Sequence, residues 1–272
     1  MPEVTHASGP DRPYHAAHMT LAAQPARLHA DLIAMLRATR EAERELFALL
    51  DAATRDAGAT IGSWSAKDVQ GHLAAWRGIE ARRLLAAAGD PPAVDDPAID
   101  APVDASNASL QAARAGWSWE DFEREADASV EALIAAIERS STEALCACAD
   151  DIVGIGANGV NHAVAHLGDV AILAAVNPGV GAAASASAFD RFLREVEAVL
   201  RHSHLPPRDS SVILYNAACH RALTGELEEA RRLLRAAFGL RSDLADAARD
   251  DPDLVALAGE IEALGAASRD PR

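Results

Sequence analysis

Four stretches in the first two-thirds of the chain repeat their apolar residues at the three- and four-residue spacing of an α-helix. Alanine is abundant and aromatic residues make up only 4% of the 272 residues, a composition that favours closely packed helices over sheets. The sequence therefore predicts an all-α fold. The four predicted helices cover residues 26–50, 64–88, 117–140 and 157–176.

The start of the second predicted helix has the residues of a helix cap. The Ser65 side chain can accept hydrogen bonds from the free amides of the first turn, and the carboxylate of Asp68 suits the positive end of the helix dipole. Trp64 is placed to pack back against the first turns. We expect this helix to end at Gly89 and the fourth to end at 177–179, where Asn, Pro and Gly follow one another.

Composition divides the chain into four parts. Residues 1–18 are rich in Pro, Gly and His without periodicity, which predicts a disordered tail and leaves Met19 as an alternative start. Residues 19–178 hold the four predicted helices, and residues 179–188, made of Gly, Ala, Ser and one Val, are predicted to be a flexible linker. Residues 189–272 form a small domain of helical hairpins, with predicted helices at 189–203, 211–224, 226–239 and 254–265.

A long acidic connection joins the second predicted helix to the third. Residues 90–116 contain five aspartates and four prolines, and they have no basic residue before Arg114. Connections of this length inside a compact domain are usually functional or mobile. We expect this connection to cover or border the entrance of a site.

The charge balance and the cysteines limit the classes of partner. A net charge of −16 without basic clusters argues against nucleic acid and anionic membrane surfaces as partners. No stretch approaches the roughly 20 apolar residues of a membrane-spanning helix, and no signal peptide is evident, so a cytoplasmic location is predicted. Cys146, Cys148 and Cys219 include no CxxC pair, which predicts reduced, packed thiols rather than disulfides or a thiolate zinc site, with a reactive Cys146 as the alternative.

Three histidines lie on inward-facing helical stripes. A rotation of 100° per residue places His72 on the buried half of the second predicted helix, and it places His162 and His166 one turn apart on the fourth. The HxxxH pair alone is typical of packed or exposed histidines. Three buried imidazoles without partners are costly, however, whereas a divalent ion satisfies all three lone pairs and keeps an open coordination position. The sequence predicts a site for Zn²⁺ or Ni²⁺, with Fe²⁺ or Mn²⁺ as alternatives.

Other polar and aromatic residues share these stripes. Asp169 and Asn158 are predicted to support the metal ligands, Asp169 by holding the far ring nitrogen of a ligand or by approaching the ion, with a surface aspartate as the alternative. Trp76, Glu80 and Arg83 are predicted to line a substrate pocket, with an ordinary Glu80–Arg83 salt bridge as the alternative. The remaining histidines outside the N-terminal tail are predicted to be surface or partly packed residues: His29, His202, His204 and His220.

Residues 64–69 (WSAKDV), 71–76 (GHLAAW) and 161–169 (NHAVAHLGD) resemble the DinB superfamily. The likeness is greatest to its branch of DfsB/ClbS-type and mycothiol-dependent maleylpyruvate isomerase-like proteins, and it extends over residues 26–176. It implies an up-down-down-up four-helix bundle in which the metal ligands are His72, His162 and His166. It also implies either transfer or isomerisation with a low-molecular-weight thiol or a hydrolase activity.

Residues 214–219 (LYNAAC), 223–225 (LTG) and 227–237 (LEEARRLLRAA) resemble a tetratricopeptide repeat. Arg221 replaces the usual aromatic residue of the first helix, and Ser242 replaces the closing proline. The resemblance implies a helical hairpin. Because a single repeat cannot bury its apolar face alone, we expect cover from the bundle, a second subunit in a homodimer, or another protein.

These observations predict a metal-dependent enzyme that acts on a small electrophilic compound in detoxification or stress. It would be a thiol-dependent transferase or a hydrolase, in which the open coordination position binds a thiolate or water. The alternative is a non-catalytic helical bundle that binds a ligand or a protein through the tetratricopeptide-like tail.

Overall fold

The computed structural model describes residues 25–57, 64–89, 102–149, 156–176, 182–201, 205 and 207–268. Within these residues the regular secondary structure is helical and contains no strand, which confirms the prediction of an all-α fold. The predicted disordered tail and His202 and His204 lie outside the described residues.

The described helices are numbered in chain order. The α-helices are α1 (Pro25–Ala48), α2 (Ala52–Asp56), α3 (Ala66–Ala87), α4 (Val103–Ala112), α5 (Trp119–Arg139), α6 (Thr142–Ala149), α7 (His162–Val176), α8 (Ala182–Leu200), α9 (Pro207–Leu223), α10 (Leu227–Leu240), α11 (Leu244–Ala247) and α12 (Ile261–Ala267). A π-helical turn (Gly156–Asn161) precedes α7, and a 3₁₀ helix (Pro252–Leu257) precedes α12.

The four predicted helices of the first two-thirds correspond to α1, α3, α5 and the π-helical turn with α7. The predicted cap of α3 is present, because Ser65 Oγ accepts from the Asp68 amide and Asp68 Oδ2 accepts from the Ser65 amide. Ser118 and Asp121 form the same reciprocal cap at the start of α5. Gly89 follows α3 with a φ of +94°, as expected of a residue that ends a helix.

Helix α4 lies inside the predicted acidic connection. Residues 90–101 are outside the described part, but Val103–Ala112 is helical and packs against α3. The two short helices α2 and α6 were not predicted either. Each has at most eight residues, so its apolar pattern is too short to show a helical period.

Helices α3 and α5 share the most extensive contact among α1, α3, α5 and α7. Helix α1 packs against α5, α7 and α8, and α7 also contacts α3. Leucine, isoleucine, valine and alanine side chains from these helices form one continuous core with those of α9 to α12. The core therefore continues across the predicted boundary between residues 19–178 and 189–272.

Helix α8 begins inside the stretch predicted to be a flexible linker. Residues 182–188 are helical, and the Ser185 hydroxyl donates to the Ala171 carbonyl at 2.6 Å. Ala188 and Phe189 are buried. Alanine has the highest helix propensity, so an alanine-rich stretch without charge forms a helix once its neighbours bury one face.

The C-terminal helices cover their own apolar faces. Helices α9 and α10 pack against each other across a turn in which Gly225 has a φ of +84°. Helix α9 also packs on α7, on the π-helical turn and on the 3₁₀ helix, and α10 packs on α12. Leu214, Leu234 and Phe238 are consequently buried within this chain. The single helix predicted over 254–265 is replaced by the 3₁₀ helix and α12.

One described stretch, Gly159–Val176, just reaches the length and mean hydropathy of a membrane-spanning helix. Half of it is buried against the rest of the chain. It also carries His162, His166 and Asp169 on faces that turn toward other helices. We therefore describe it as a core helix of the fold.

A buried ionic network joins α1, α3 and α5. The guanidinium of Arg77 pairs with the carboxylate of Glu43, and both side chains are 0% exposed. Arg40 donates to Glu43 at 3.2 Å, to Glu123 at 2.9 Å and to Asp127 at 2.6 Å. Charged groups in a core are stable only when they are paired, and here the pairs fix the relative positions of three helices.

Candidate metal centre

The side chains of His72, His162 and His166 converge on one point between α3 and α7. His162 Nε2 lies 2.7 Å from His72 Nε2 and 2.9 Å from His166 Nε2. Nitrogen atoms of all three rings lie within 4.8 Å of one another. The structure thus brings together the three histidines predicted to share an ion.

Hydrogen bonds among the three rings cannot satisfy all of the ring nitrogens that face one another. A neutral imidazole has one N–H and one lone pair, so His162 Nε2 acts either as a donor or as an acceptor, although it faces two other ring nitrogens. One of the two short contacts is then at best a shared hydrogen bond. A cation at the centre would accept a lone pair from each Nε2 atom and satisfy all three.

All three imidazoles are held in the neutral form that a metal requires. Burial lowers the pKa of His72 to about 3, with contributions from His166 and Arg114. Burial also lowers the pKa of His166 to about 4 and that of His162 well below its usual value. Each neutral ring therefore keeps one unprotonated nitrogen near neutral pH, and this nitrogen is available as a metal ligand.

The donor set fits a tetrahedral ion after a small adjustment. Zn–N bonds of about 2.0–2.1 Å in a tetrahedron place ligand nitrogens about 3.3 Å apart, so His72 and His166 would each move about 0.5 Å from His162. The three side chains are partly buried. One ring atom stays unsatisfied, since His162 Nδ1 is buried and has no hydrogen-bond partner among the described residues.

Close packing next to the histidines fixes the position of α3. Gly71 precedes His72, and a Cβ at Gly71 would lie 2.5 Å from the Phe122 ring of α5. On the other side of the centre, the π-helical turn directly precedes His162. Its last residue, Asn161, accepts a hydrogen bond of 2.7 Å from Asn216 of α9. A π-helical turn is uncommon and is frequently found at functional sites.

Two tryptophans border the centre. The Trp64 ring lies 4.6 Å from the His72 ring in an edge-to-face arrangement, and the Trp76 ring lies 6.3 Å from it. Trp76 Nε1 donates to Asn107 of α4 at 3.0 Å. The second half of the predicted acidic connection therefore contacts a residue that borders the centre. The sequence pattern predicted Trp64 only as a packing residue of the helix start.

The other predicted pocket residues lie farther along α3. The helical rise of 1.5 Å per residue places Glu80 about 12 Å and Arg83 about 16 Å from the level of His72. Glu80 is only 1% exposed, so its carboxylate has no access from solvent. Their predicted contact with a substrate stays a prediction with little geometric support.

The structure describes the side chain of only one of the two residues predicted to support the ligands. The side chain of Asn158 lies outside the described part of the structure. Asp169 lines a separate cavity together with His166 and His220, and no contact with a ring of the three-histidine centre is described. Burial and the nearby Asp253 raise the pKa of Asp169 to about 6.

The walls and the donor set define what the centre can do. It offers three neutral nitrogen ligands, and two indole rings lie beside the His72 ring. Three nitrogen ligands at this spacing can hold one divalent ion. The chain matches no protein-family model, no curated protein and no solved structure.

Proposed function

We propose that the chain is a divalent-metal-dependent enzyme of the DinB type, in which His72, His162 and His166 hold the ion. The observation that carries this proposal is the convergence of three neutral imidazole nitrogens from two helices. Imidazole ligands suit Zn²⁺ and Ni²⁺ first, and Fe²⁺ or Mn²⁺ as alternatives.

The proposed scaffold is a four-helix bundle of α1, α3, α5 and α7. Its support is the packing of α3 on α5, of α1 on α5 and α7, and of α3 on α7. In this arrangement the ligands come from α3 and α7, which are the helices that carry the motifs resembling the DinB superfamily. The buried Arg77–Glu43 pair holds α3 against α1 directly after the turn that carries His72.

The proposed reaction is attack of a nucleophile on a small electrophile. A bound divalent ion lowers the pKa of a thiol or a water molecule and so supplies a nucleophile near neutral pH. The three histidines contribute uncharged donors, so that the site keeps the full positive charge of the ion. Trp64 and Trp76 supply apolar walls for the substrate, and they favour a low-molecular-weight compound over a polymer.

The metal site is tested by elemental analysis of untagged protein. His162→Gln removes the central ligand at nearly constant side-chain volume, and we expect it to lose one equivalent of transition metal relative to the wild type. The matched control is His29→Gln, because His29 is a partly buried histidine of α1 whose Nε2 contacts the Ser140 carbonyl far from the centre. Equal metal content in His162→Gln and the wild type refutes the site.

The reaction class is tested with the metal-loaded wild type and His162→Gln. One assay measures substitution on a chromogenic aryl halide, in which the sulfur of a low-molecular-weight thiol replaces the halide and a proton is released. A second measures hydrolysis of a chromogenic ester without thiol. Metal-dependent activity in the first indicates a thiol transferase, and activity only in the second indicates a hydrolase. Equal rates for the two proteins in both assays refute catalysis at this centre on these electrophiles.

The interaction role predicted for the C-terminal helices has weaker support. Most of their large apolar side chains are covered by α7, α12 and the 3₁₀ helix of the same chain, whereas Leu223 and Val255 are exposed. A homodimer or a protein partner would have to use the outer surface of these helices. Sedimentation of the purified chain over a concentration series measures whether it self-associates.

A further inference from the structure

A second group of metal-binding side chains lies on the far side of α7. A cavity of about 190 Å³ is lined by residues of α7, α9 and the 3₁₀ helix. It adjoins the three-histidine centre, because His166 of α7 also lines it. A space of this size holds about six water molecules or one small ligand.

Three donor side chains meet at this cavity. Cys219 of α9 and Asp251 and Asp253 at the start of the 3₁₀ helix each offer one ligand atom, and these atoms lie within 4.8 Å of one another. Cys219 Sγ lies 3.8 Å from Asp251 Oδ2. The same oxygen accepts a 2.7 Å hydrogen bond from the Tyr215 hydroxyl, which orients the carboxylate. A sulfur and two carboxylates at this spacing can coordinate one ion.

The walls of the cavity carry excess negative charge. Asp169 of α7 lines the cavity together with Asp251 and Asp253, and no lysine or arginine is among its lining residues. Among the described residues, none of these three carboxylates forms an ion pair with a basic side chain. A cation is therefore the ligand that this electrostatic environment favours.

An unpartnered histidine on the same cavity points independently to a ligand. His220 is 7% exposed, and its Nδ1 atom has no hydrogen-bond partner in the structure. The His220 ring packs against Gly168, because a Cβ at Gly168 would lie only 2.9 Å from this nitrogen. Gly168 and His220 both line the cavity. A bound ion with its water molecules would provide the partner that the buried nitrogen lacks.

We propose that Cys219, Asp251 and Asp253 bind a second divalent cation in this cavity. The thiol selects a Zn²⁺-like ion over Mg²⁺ or Ca²⁺, which prefer oxygen ligands only. Ordered water on this ion links it to Asp169 and to His220 Nδ1 across the cavity. The site does not depend on the three-histidine centre, since the two share no ligand. The sequence alone gives no sign of this site, because no CxxC pair marks a cysteine whose partners lie 32 and 34 residues farther along the chain.

The experiment uses Co²⁺ as a probe, because thiolate ligation produces a near-ultraviolet charge-transfer band that histidine ligation does not. The full-length chain carries Cys146→Ser and Cys148→Ser, so that Cys219 is its only cysteine. We expect two equivalents of Co²⁺ to bind, one of them with the charge-transfer band. In a variant that also carries His162→Gln, the band is expected to persist while the other equivalent is lost. A Co²⁺-saturated protein without the band overturns the proposal.

Two further variants separate ligation from folding. Asp253→Asn removes an exposed ligand without disturbing the core, and we expect it to weaken the binding that produces the band by at least tenfold. The matched control, Asp250→Asn, removes the same charge from a neighbouring exposed residue and is expected to leave the affinity unchanged. Equal weakening by both substitutions indicates only a general electrostatic effect and overturns the assignment of Asp253 as a ligand.

Discussion

Replacement of Arg77 by methionine tests whether the buried ionic network stabilises the fold around the histidines. In the wild type, Arg77 donates to both carboxylate oxygens of Glu43 and to the Ser129 hydroxyl. After Arg77→Met, the carboxylate of Glu43 stays buried with only the guanidinium of Arg40 at 3.2 Å. That guanidinium is already shared with Glu123 and Asp127, so it compensates Glu43 only in part.

The expected loss of unfolding free energy is about 3 kcal/mol, at the lower end of the range of about 3–5 kcal/mol for breaking a buried pair, because Arg40 remains. This corresponds to more than a hundredfold change in the folding equilibrium. Arg44→Met is the matched control, since Arg44 pairs with Asp127 at the surface and its side chain is 57% exposed. Its expected cost is at most about 1 kcal/mol.

Urea unfolding at pH 7, followed by tryptophan fluorescence and by far-ultraviolet circular dichroism, measures these differences at constant m-value. The double variant Arg77→Met with Glu43→Met replaces the pair by apolar side chains of similar length. It is expected to be more stable than Arg77→Met alone, because no unpaired carboxylate is left in the core. A double variant as unstable as the sum of its single variants refutes this reasoning, and so does an Arg77→Met protein within about 1 kcal/mol of the wild type.

Three further outcomes are expected. Gly71→Ala lowers the unfolding free energy by about 1–3 kcal/mol, because its Cβ overlaps a ring of α5. Gly78→Ala on the same helix meets nothing closer than 3.6 Å and raises the unfolding free energy by up to about 1 kcal/mol. Equal urea midpoints for the two variants contradict this. In the presence of a chelator, the midpoint urea concentration is expected to decrease as the pH is lowered from about 6.5 to 4. The unfolded chain binds protons in this range, whereas His72 (pKa about 3) and His166 (pKa about 4) stay neutral in the folded chain. A midpoint independent of pH in this window contradicts their lowered pKa values. Cys219, as the only remaining cysteine, reacts with a thiol reagent more slowly in the metal-free fold than in urea, because burial raises its pKa; equal rates contradict this.

Local sequence signals predicted the principal helices and the faces on which the histidines lie. Ser65 and Asp68 interact within one turn, so their cap is visible without any knowledge of the tertiary structure. The period of 3.6 residues likewise places His162 and His166 on one side of α7. These features depend on neighbours at most four residues away, which is the range that a sequence pattern describes.

Features that depend on distant partners were not predictable. Arg77 is a charged residue in a helix, and only the position of Glu43 on α1 makes its burial possible. Cys219 had no local partner, because Asp251 and Asp253 reach it through the turn after α11. Residues 182–188 have the composition of a linker, and their helix is stabilised by contacts such as the one from Ser185 to α7.

Helix α7 leaves little room for substitution over residues 162–169. Its histidines face one site, and His166 lines the neighbouring cavity together with Ala165, Gly168 and Asp169. Ala163, Val164 and Leu167 fill the core. Ala165 is the one exposed position in this stretch. Transfer of the three-histidine centre to another scaffold would therefore require α9 as well, because the His220 ring of α9 packs directly against Gly168. A saturation library of these eight positions is expected to tolerate wide variation at Ala165 alone.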